Sequence, residues 1–440
     1  MSRERFKWYL SIFSLFWASV AAQESLNPDN EPGDEILPDL NKPPSELHKE
    51  YLTGNWGGER QKLEERGVFL ALTYFTDIQG NPVGGAHRGF AQAGSMGFQA
   101  TIDLEKIAQI KGLQLFGSFV WREGTSLSAK KIDNQFPVAQ LFGGQTYRLN
   151  ELYLKEQLAD GNVILKAGRL NAGNNFFQSP LYYYFVSNAF CGNPISIFFN
   201  SGFSAYPKAT WGGYFDFLIR DQFKAQFGVY NVNPTIFKNK YHGCNFTFHS
   251  VGGILAIGQF SYLLNRAKTS RGLPGNYAVG YFYQTGEVQR FSGQEQKGNY
   301  CYYFLFDQMI YRKGNLNVTP FAAIILAPTN RNLFPFFFDG GIIARGIIKN
   351  RADDTLVFGA AYGAYSSDLR QVQQNAMKGM ILGPFGNRPQ DFELVLELNY
   401  WYYVTPYWVI TPDLQYIIHP KGHDSIQNAL VLGTQIGITF

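Results

Sequence analysis

The residues that close this chain alternate. Leu430, Leu432, Thr434, Ile436, Ile438 and Phe440 fall on one face, and Val431, Gly433, Gln435, Gly437 and Thr439 on the other. An apolar face opposite a small or polar one at period two describes a strand standing between lipid and water, the pattern of an outer-membrane barrel. A chain built this way is a pore or another membrane-embedded β protein. Its 440 residues suit one large barrel as well as two or three soluble domains. Composition separates the two, because 17% aromatic residues, 46 glycines and only 16% charge favour strands and turns over helices. Beyond residue 25 no apolar run approaches the roughly 18 residues a membrane helix needs. The balance of 38 basic against 34 acidic residues is too even to favour nucleic acid as a partner.

The N-terminus carries Arg3, Arg5 and Lys7, an apolar run from Trp8 to Val20, and then Ala21 and Ala22. This is the layout of a secretory signal peptide over 1–22, cleaved after Ala22. Residues 23–50 are acidic and rich in proline (Pro28, Pro32, Pro38, Pro43, Pro44) and read as an extended periplasmic arm. Within 51–67 a short helix is expected, with Asn55 to cap it and Gly67 to end it. Three cysteines, Cys191, Cys244 and Cys301, are too few for a disulfide scaffold. Cys191 and Cys244 fall in loops of one side and can pair, leaving Cys301 alone.

From residue 68 to 440 we mark sixteen strands of about ten residues, the length a tilted membrane strand requires. They begin near Val68, Ser95, Leu113, Thr146, Val163, Lys208, Gln222, Val251, Tyr277, Asn299, Leu316, Phe336, Asp354, Asp391, Tyr407 and Asn428. Their connections alternate between short joints (159–161, 220–221, 312–314) and long ones (78–94, 124–145, 171–207, 366–389). The expected fold is therefore all-β: a 16-stranded antiparallel transmembrane β-barrel with a short N-terminal helix, tight periplasmic turns and long extracellular loops. Strand faces follow from period two. Asp391, Glu393, Val395, Glu397 and Asn399 oppose Phe392, Leu394, Leu396, Leu398 and Tyr400. A charge facing lipid at mid-membrane costs about 2–4 kcal/mol for Arg or Lys and less for acids, so the polar face is expected to be a wet lumen. The aromatic clusters from Tyr400 to Tyr403 and at Tyr407 and Trp408 suit an outer girdle.

Three stretches resemble the carbohydrate-selective porins of the OprB type: GNWGGERQKLEERGV, RLNELYLKEQLADGNVILKAGRLNAGNNFF, and the closing ELVLELNYWYYVTPYWVITPDLQYIIHPKGHDSIQNALVLGTQIGITF. With RADDTLVFGAAYG the similarity spans nearly the whole mature chain. The resemblance implies a sixteen-stranded barrel in the cell outer membrane of a Gram-negative type bacterium, through which sugars diffuse without nucleotide, metal or other cofactor. The terminal Phe440 resembles the assembly signal read by barrel-assembly machinery. Expected partners are small sugars or other small hydrophilic solutes and outer-membrane lipid. Assembly as a homotrimer or a monomer stays open.

A pore selects by its width and by its lining groups, and each contact must stay weak or the solute would block it. Aromatic rings stack on sugar faces, while carboxylates, guanidinium groups and amides exchange hydrogen bonds with hydroxyls. The dyad pattern nominates Arg122, Glu151, Lys155, Lys166, Arg169, Asp216, Lys224, Glu393, Glu397, Asp413 and Gln415 as pore-lining, and one residue of register error would turn any of them outward. The aromatic stretch 171–207 nominates Phe176, Phe177, Tyr182, Tyr183 and Tyr184 as stacking surfaces, with packing against the barrel wall as the alternative. An enzyme is not expected, because the chain has no G-x-S-x-G elbow. His419 and His423 are separated by Pro420 and Gly422, which favours a turn over a metal site. A non-selective diffusion porin and a surface barrel with an adhesin role are the alternative functions.

Overall fold

The computed structural model describes residues 51–440 apart from 160, 191, 267–269, 271 and 379–387, so the expected signal peptide and arm lie outside the described residues. The wall is made of β1 (Val68–Val83), β2 (Gly89–Asp103), β3 (Leu113–Gly124), β4 (Thr146–Leu158), β5 (Val163–Leu170), β6 (Thr210–Ile219), β7 (Phe223–Asn231), β8 (Ile254–Leu264), β9 (Gly275–Gln289), β10 (Glu295–Gln308), β11 (Tyr311–Lys313), β12 (Leu316–Leu326), β13 (Phe336–Arg345), β14 (Thr355–Ala364), β15 (Phe392–Thr405), β16 (Trp408–Ile418) and β17 (Ala429–Thr439). Met309 and Ile310 interrupt β10, and β11 resumes it against the same neighbour, β12. Sixteen antiparallel staves result. The last pairs with the first, Tyr74 with Ile438 and Thr76 with Ile436, which closes the barrel. Closure leaves no unpaired strand edge for hydrocarbon to penalise.

Period two sorts the side chains. On β15 Glu393, Val395, Glu397, Asn399 and Trp401 are buried inside, while Leu398 and Tyr402 are exposed on the outer surface. Exposed Phe119, Trp121, Phe215, Phe227, Phe304 and Leu414 continue that apolar exterior. The first hairpin departs from expectation. In place of a long loop over 78–94, β1 and β2 run on for 16 and 15 residues around a tight turn. Gly80, Asn81, Gly84 and Gly85 read as loop formers, but Asn81 instead ties the turn together. Its amide donates to the carbonyls of Gly84 and His87, and its oxygen accepts from Gly89 N.

Short joints at 159–162, 220–222, 314–315 and 406–407 share one end of the barrel, and the long connections 125–145, 171–209, 232–253 and 365–391 share the other. The short end is periplasmic by the rule for bacterial barrels. There a helix, Glu59–Glu65, sits beside the closing seam, and Asn55 Oδ1 accepts from Gln61 N. Arg60 lies over the Tyr51 and Trp56 rings and donates to the Phe440 carbonyl at 3.0 Å. Cys244 is exposed, Cys301 is buried, and both are free thiols, so the pairing of Cys244 with Cys191 is not made; Cys191 lies outside the described residues.

The periplasmic turn 346–354 is set by Asp354, which accepts from both Arg351 Nε (2.8 Å) and Nη2 (2.7 Å), from Tyr400 Oη and from Tyr403 N. Burial pushes the Asp354 carboxyl up, but these hydrogen bonds outweigh it and hold the carboxyl below its ordinary value. A depressed carboxylate stabilises the fold above its unfolded pKa, near 3.9, and that contribution fades as pH falls through the folded value. Heat-dependent gel mobility followed from pH 6 to pH 2 should therefore show an acid loss of stability that Asp354→Asn flattens. Superimposable curves would rule the turn out as its source.

Candidate functional site

Two long extracellular connections, 125–145 and 171–209, turn back into the barrel and fill much of it. Residues 171–209 are apolar and aromatic enough to form a core of their own. Phe176, Phe177, Phe185, Phe190, Ile195 and Ile197 are fully buried within the barrel against inward residues of the wall. The two loops also bond to each other, Gln140 N to the Val186 carbonyl and Asn188 N to the Pro137 carbonyl, both at 2.9 Å.

Polar residues of the inner wall hold the loops in place. Glu393 accepts from Gln135 N and Phe136 N, each at 2.7 Å, and from Lys421 N. Glu397 accepts from Val186 N (2.7 Å) and Ser187 N (3.0 Å). The Gln415 and Gln79 amides both donate to the Val138 carbonyl, and both also donate to Asp413. Trp401 Nε1 and Asn399 Nδ2 meet at the Tyr184 carbonyl. On another sector Glu151 receives Asn171 N and Asn174 Nδ2, both at 2.7 Å. Loop backbone buried among aromatic rings must find partners, and the wall supplies them.

The eleven residues nominated as pore-lining therefore need correction. Ten face inward, but Arg122, Glu151, Lys155, Lys166, Asp216, Lys224, Glu393, Glu397, Asp413 and Gln415 are each 8% exposed or less. They are dressed with loop and with one another rather than with open water. Arg169 does not face inward at all. It shares register with the outward Leu152 and Trp211, where the 232–253 connection covers it and it donates to the Asn245 and Ala209 carbonyls. Lys166 and Arg169 are three residues apart, an odd offset, so a regular strand cannot turn both inward.

The aromatic candidates divide in the same way. Phe177 stacks on Tyr303 with centroids 3.7 Å apart, Phe176 meets Tyr214 edge-on, Tyr182 donates to Asp339, and Tyr184 meets Trp401 edge-on. These four are buried wall-packing residues, not open stacking faces, because rings of this area gain more from burial than from water. Tyr183 alone of the five is half-buried, with its hydroxyl on Gln178 Oε1 at 3.0 Å. Asn134, Gln135, Asn174, Gln178 and Ser201 also keep partial exposure on the inward loops, and Gln178 is the one bonded to Tyr183. Strand periodicity says nothing about loops, so these amides went unnominated. Their sequence signal is the polar interruption of an aromatic run, Asn174, Asn175 and Gln178 around Phe176 and Phe177.

Charge is unevenly spread around the wall. Strands β15, β16, β17 and β1 contain Glu393, Glu397, Asp413 and Asp77 and not one Lys or Arg. Two to four strands on from β1, β3, β4 and β5 turn Arg122, Arg148, Lys155 and Lys166 inward around the single acid Glu151, joined by Lys208 from the loop. Burial, and then the neighbouring Arg148 and Arg122, push the Lys208 amine well below its usual value. Asp216 and Lys224 pair at 2.9 Å within a relay through Tyr214, Gln226, Gln259 and Tyr303. Glu151, Asp216, Asp307 and Asp339 offset part of this imbalance, so the field across the lumen is biased rather than divided by sign.

Comparison with known proteins agrees with this architecture. Residues 87–440 match the family described as carbohydrate-selective porin, OprB family. Porin B of Pseudomonas aeruginosa is 26% identical over 422 residues, covering 89% of this chain and 92% of that protein. The putative porin QuiX of Acinetobacter baylyi is 24% identical over 413 residues, covering 89% and 93%. A solved high-pH structure of Pseudomonas putida OprB superposes with a TM-score of 0.83 at 25% identity, covering 89% of this chain and 99% of that one.

Proposed function

We propose, for a chain that belongs to the carbohydrate-selective porin, OprB family, that small neutral sugars are sorted at the half-buried amides of the inward loops rather than at the charged wall. The protein is a carbohydrate-selective porin, a channel and not an enzyme. The observation that carries the finer reading is the set Asn134, Gln135, Asn174, Gln178 and Tyr183, which keeps partial exposure where the wall charges do not. Amides offer donors and acceptors together, matching hydroxyls that are both, and the Tyr183 ring offers one apolar face. The buried wall charges act at a distance, through their field, and through the loops they hold. Residence in the outer membrane of a Gram-negative bacterium, and Phe440 as the residue read by assembly machinery, belong to the same reading.

Liposome swelling tests it. Neutral hexoses should enter faster than amino acids or salts of matched size, and Tyr183→Ala should slow hexoses about two- to tenfold, the worth of one aromatic contact. Equal rates for all solutes of one size would leave a non-selective diffusion porin. Selectivity retained in full by Tyr183→Ala would remove that ring from the solute path.

A further inference from the structure

At the extracellular end of β9 and β10, two arginines converge on one neutral oxygen. Arg290 Nε donates to Gln296 Oε1 at 2.6 Å, and Arg331 Nη1 reaches the same atom at 3.3 Å. Arg331 comes from the connection between β12 and β13, which is brought to the hairpin by Phe291 N donating to the Asn330 carbonyl. Its guanidinium is fixed further by Asn299 Oδ1 (3.0 Å), Asn330 Oδ1 (2.7 Å) and the Tyr300 ring, 5.4 Å from its centroid. Two like charges at this distance repel, and a protein ordinarily sets a carboxylate between them. Here, among the described residues, neither arginine makes an ion pair. The acids of the same hairpin sit elsewhere in its register: Glu287 lies opposite Lys297, and Glu295 opposite Gln289. Burial lowers the Arg331 pKa, Tyr300 raises it, and Arg290 lowers it again, as expected of a cation lodged beside another.

We infer that Arg290 and Arg331 form a fork that binds a phosphate group. With the contacts above made, Nη1 and Nη2 of Arg290 and Nη2 of Arg331 have no protein acceptor among the described residues, and both side chains are half-exposed. Guanidinium forks suit phosphate because paired N–H groups match paired oxygens, and a doubly charged anion between two cations removes their repulsion. The fork's position favours a headgroup as the source. Outward Tyr281, Tyr283, Tyr300 and Tyr302 form an exposed aromatic cluster on the same two strands, and Arg331 lies over one of its rings. Such rings mark the level of lipid headgroups, so the fork stands where a phosphorylated glycolipid of the outer leaflet presents its phosphates.

The test uses the full chain in neutral detergent and native mass spectrometry with three probes: a bis-phosphorylated acyl-glucosamine disaccharide, its dephosphorylated counterpart, and inorganic phosphate. The phosphorylated lipid should bind the native chain in preference to the dephosphorylated one, and Arg290→Gln with Arg331→Gln should weaken it about tenfold or more. Binding by the lipid alone identifies a headgroup site, and displacement by inorganic phosphate identifies one that also takes the free anion. Arg290→Lys with Arg331→Lys keeps the charges and loses the fork, so it should recover only part of the affinity; it also serves should the glutamine variant lose its compact unheated gel band. If the arginine variants hold the phosphorylated lipid as tightly as the native chain, or if phosphate confers no preference, the inference fails.

Discussion

Glu393→Ala combined with Glu397→Ala should give a barrel that still folds and inserts but conducts more and discriminates less. The two carboxylates accept five backbone N–H groups from the inward loops and the 419–428 turn: Gln135, Phe136 and Lys421 on Glu393, Val186 and Ser187 on Glu397. A hydrogen bond to a charged group contributes about 1.5–3 kcal/mol, and an amide left buried without an acceptor costs about 1–3 kcal/mol. Losing all five exceeds what a loop can bear in place, so the loops should move toward water while the strand ladder, which uses none of these carboxylates, stays paired. Planar-bilayer recording should show higher single-channel conductance, and swelling assays a smaller gap between hexoses and matched amino acids. Glu397→Gln keeps one acceptor oxygen of two and should lie between. Conductance and selectivity both unchanged in the double variant would show that the loops are held by their aromatic packing alone.

The same two residues show what was legible beforehand. Their alternation with Leu394, Leu396 and Leu398 announced an inward face from local pattern alone, and the structure places both side chains inside. What they face was not local. Whether a lumenal carboxylate meets water or a loop depends on a segment more than 200 residues away folding back, as Val186 does onto Glu397. Strand number and the two-class loop rhythm were legible for the same reason that the loops' inward packing was not: periodicity is a property of strands, and the barrel is filled by loop. Arg169 failed on parity, since its spacing of three from Lys166 contradicts a shared face. The first hairpin failed because glycines and Asn81 promise a loop wherever they stand, and only the hydrogen bonds of Asn81 reveal a turn.

Phe177→Ala should be the most damaging single substitution in the inward loops, about 3–5 kcal/mol for a buried phenylalanine that leaves a void. Phe177 is wholly buried, stacked on Tyr303 of β10, edge-on to Phe203 at 5.4 Å and near Phe282 of β9. Its place in the loop explains why the cost should appear in permeation as well as stability. Besides Glu151 at its start and Trp401 at Tyr184, residues 171–209 are pinned to β15 by Glu397 and to β9 and β10 by this ring, so losing either of these two should loosen the span between them. The carboxylate and the ring do not touch, and their effects on unfolding should therefore add. Their effects on conductance should not, because a loop already released at one end gains less from release at the other. Phe177→Leu retains most of the volume and should cost less than half as much. Unfolding temperature on heated gels and single-channel conductance, measured for Phe177→Ala, Glu397→Ala and the pair, decide the matter. A void without consequence for either quantity, or conductance increments that simply sum, would mean the loop is held piecewise and not as a span between two walls.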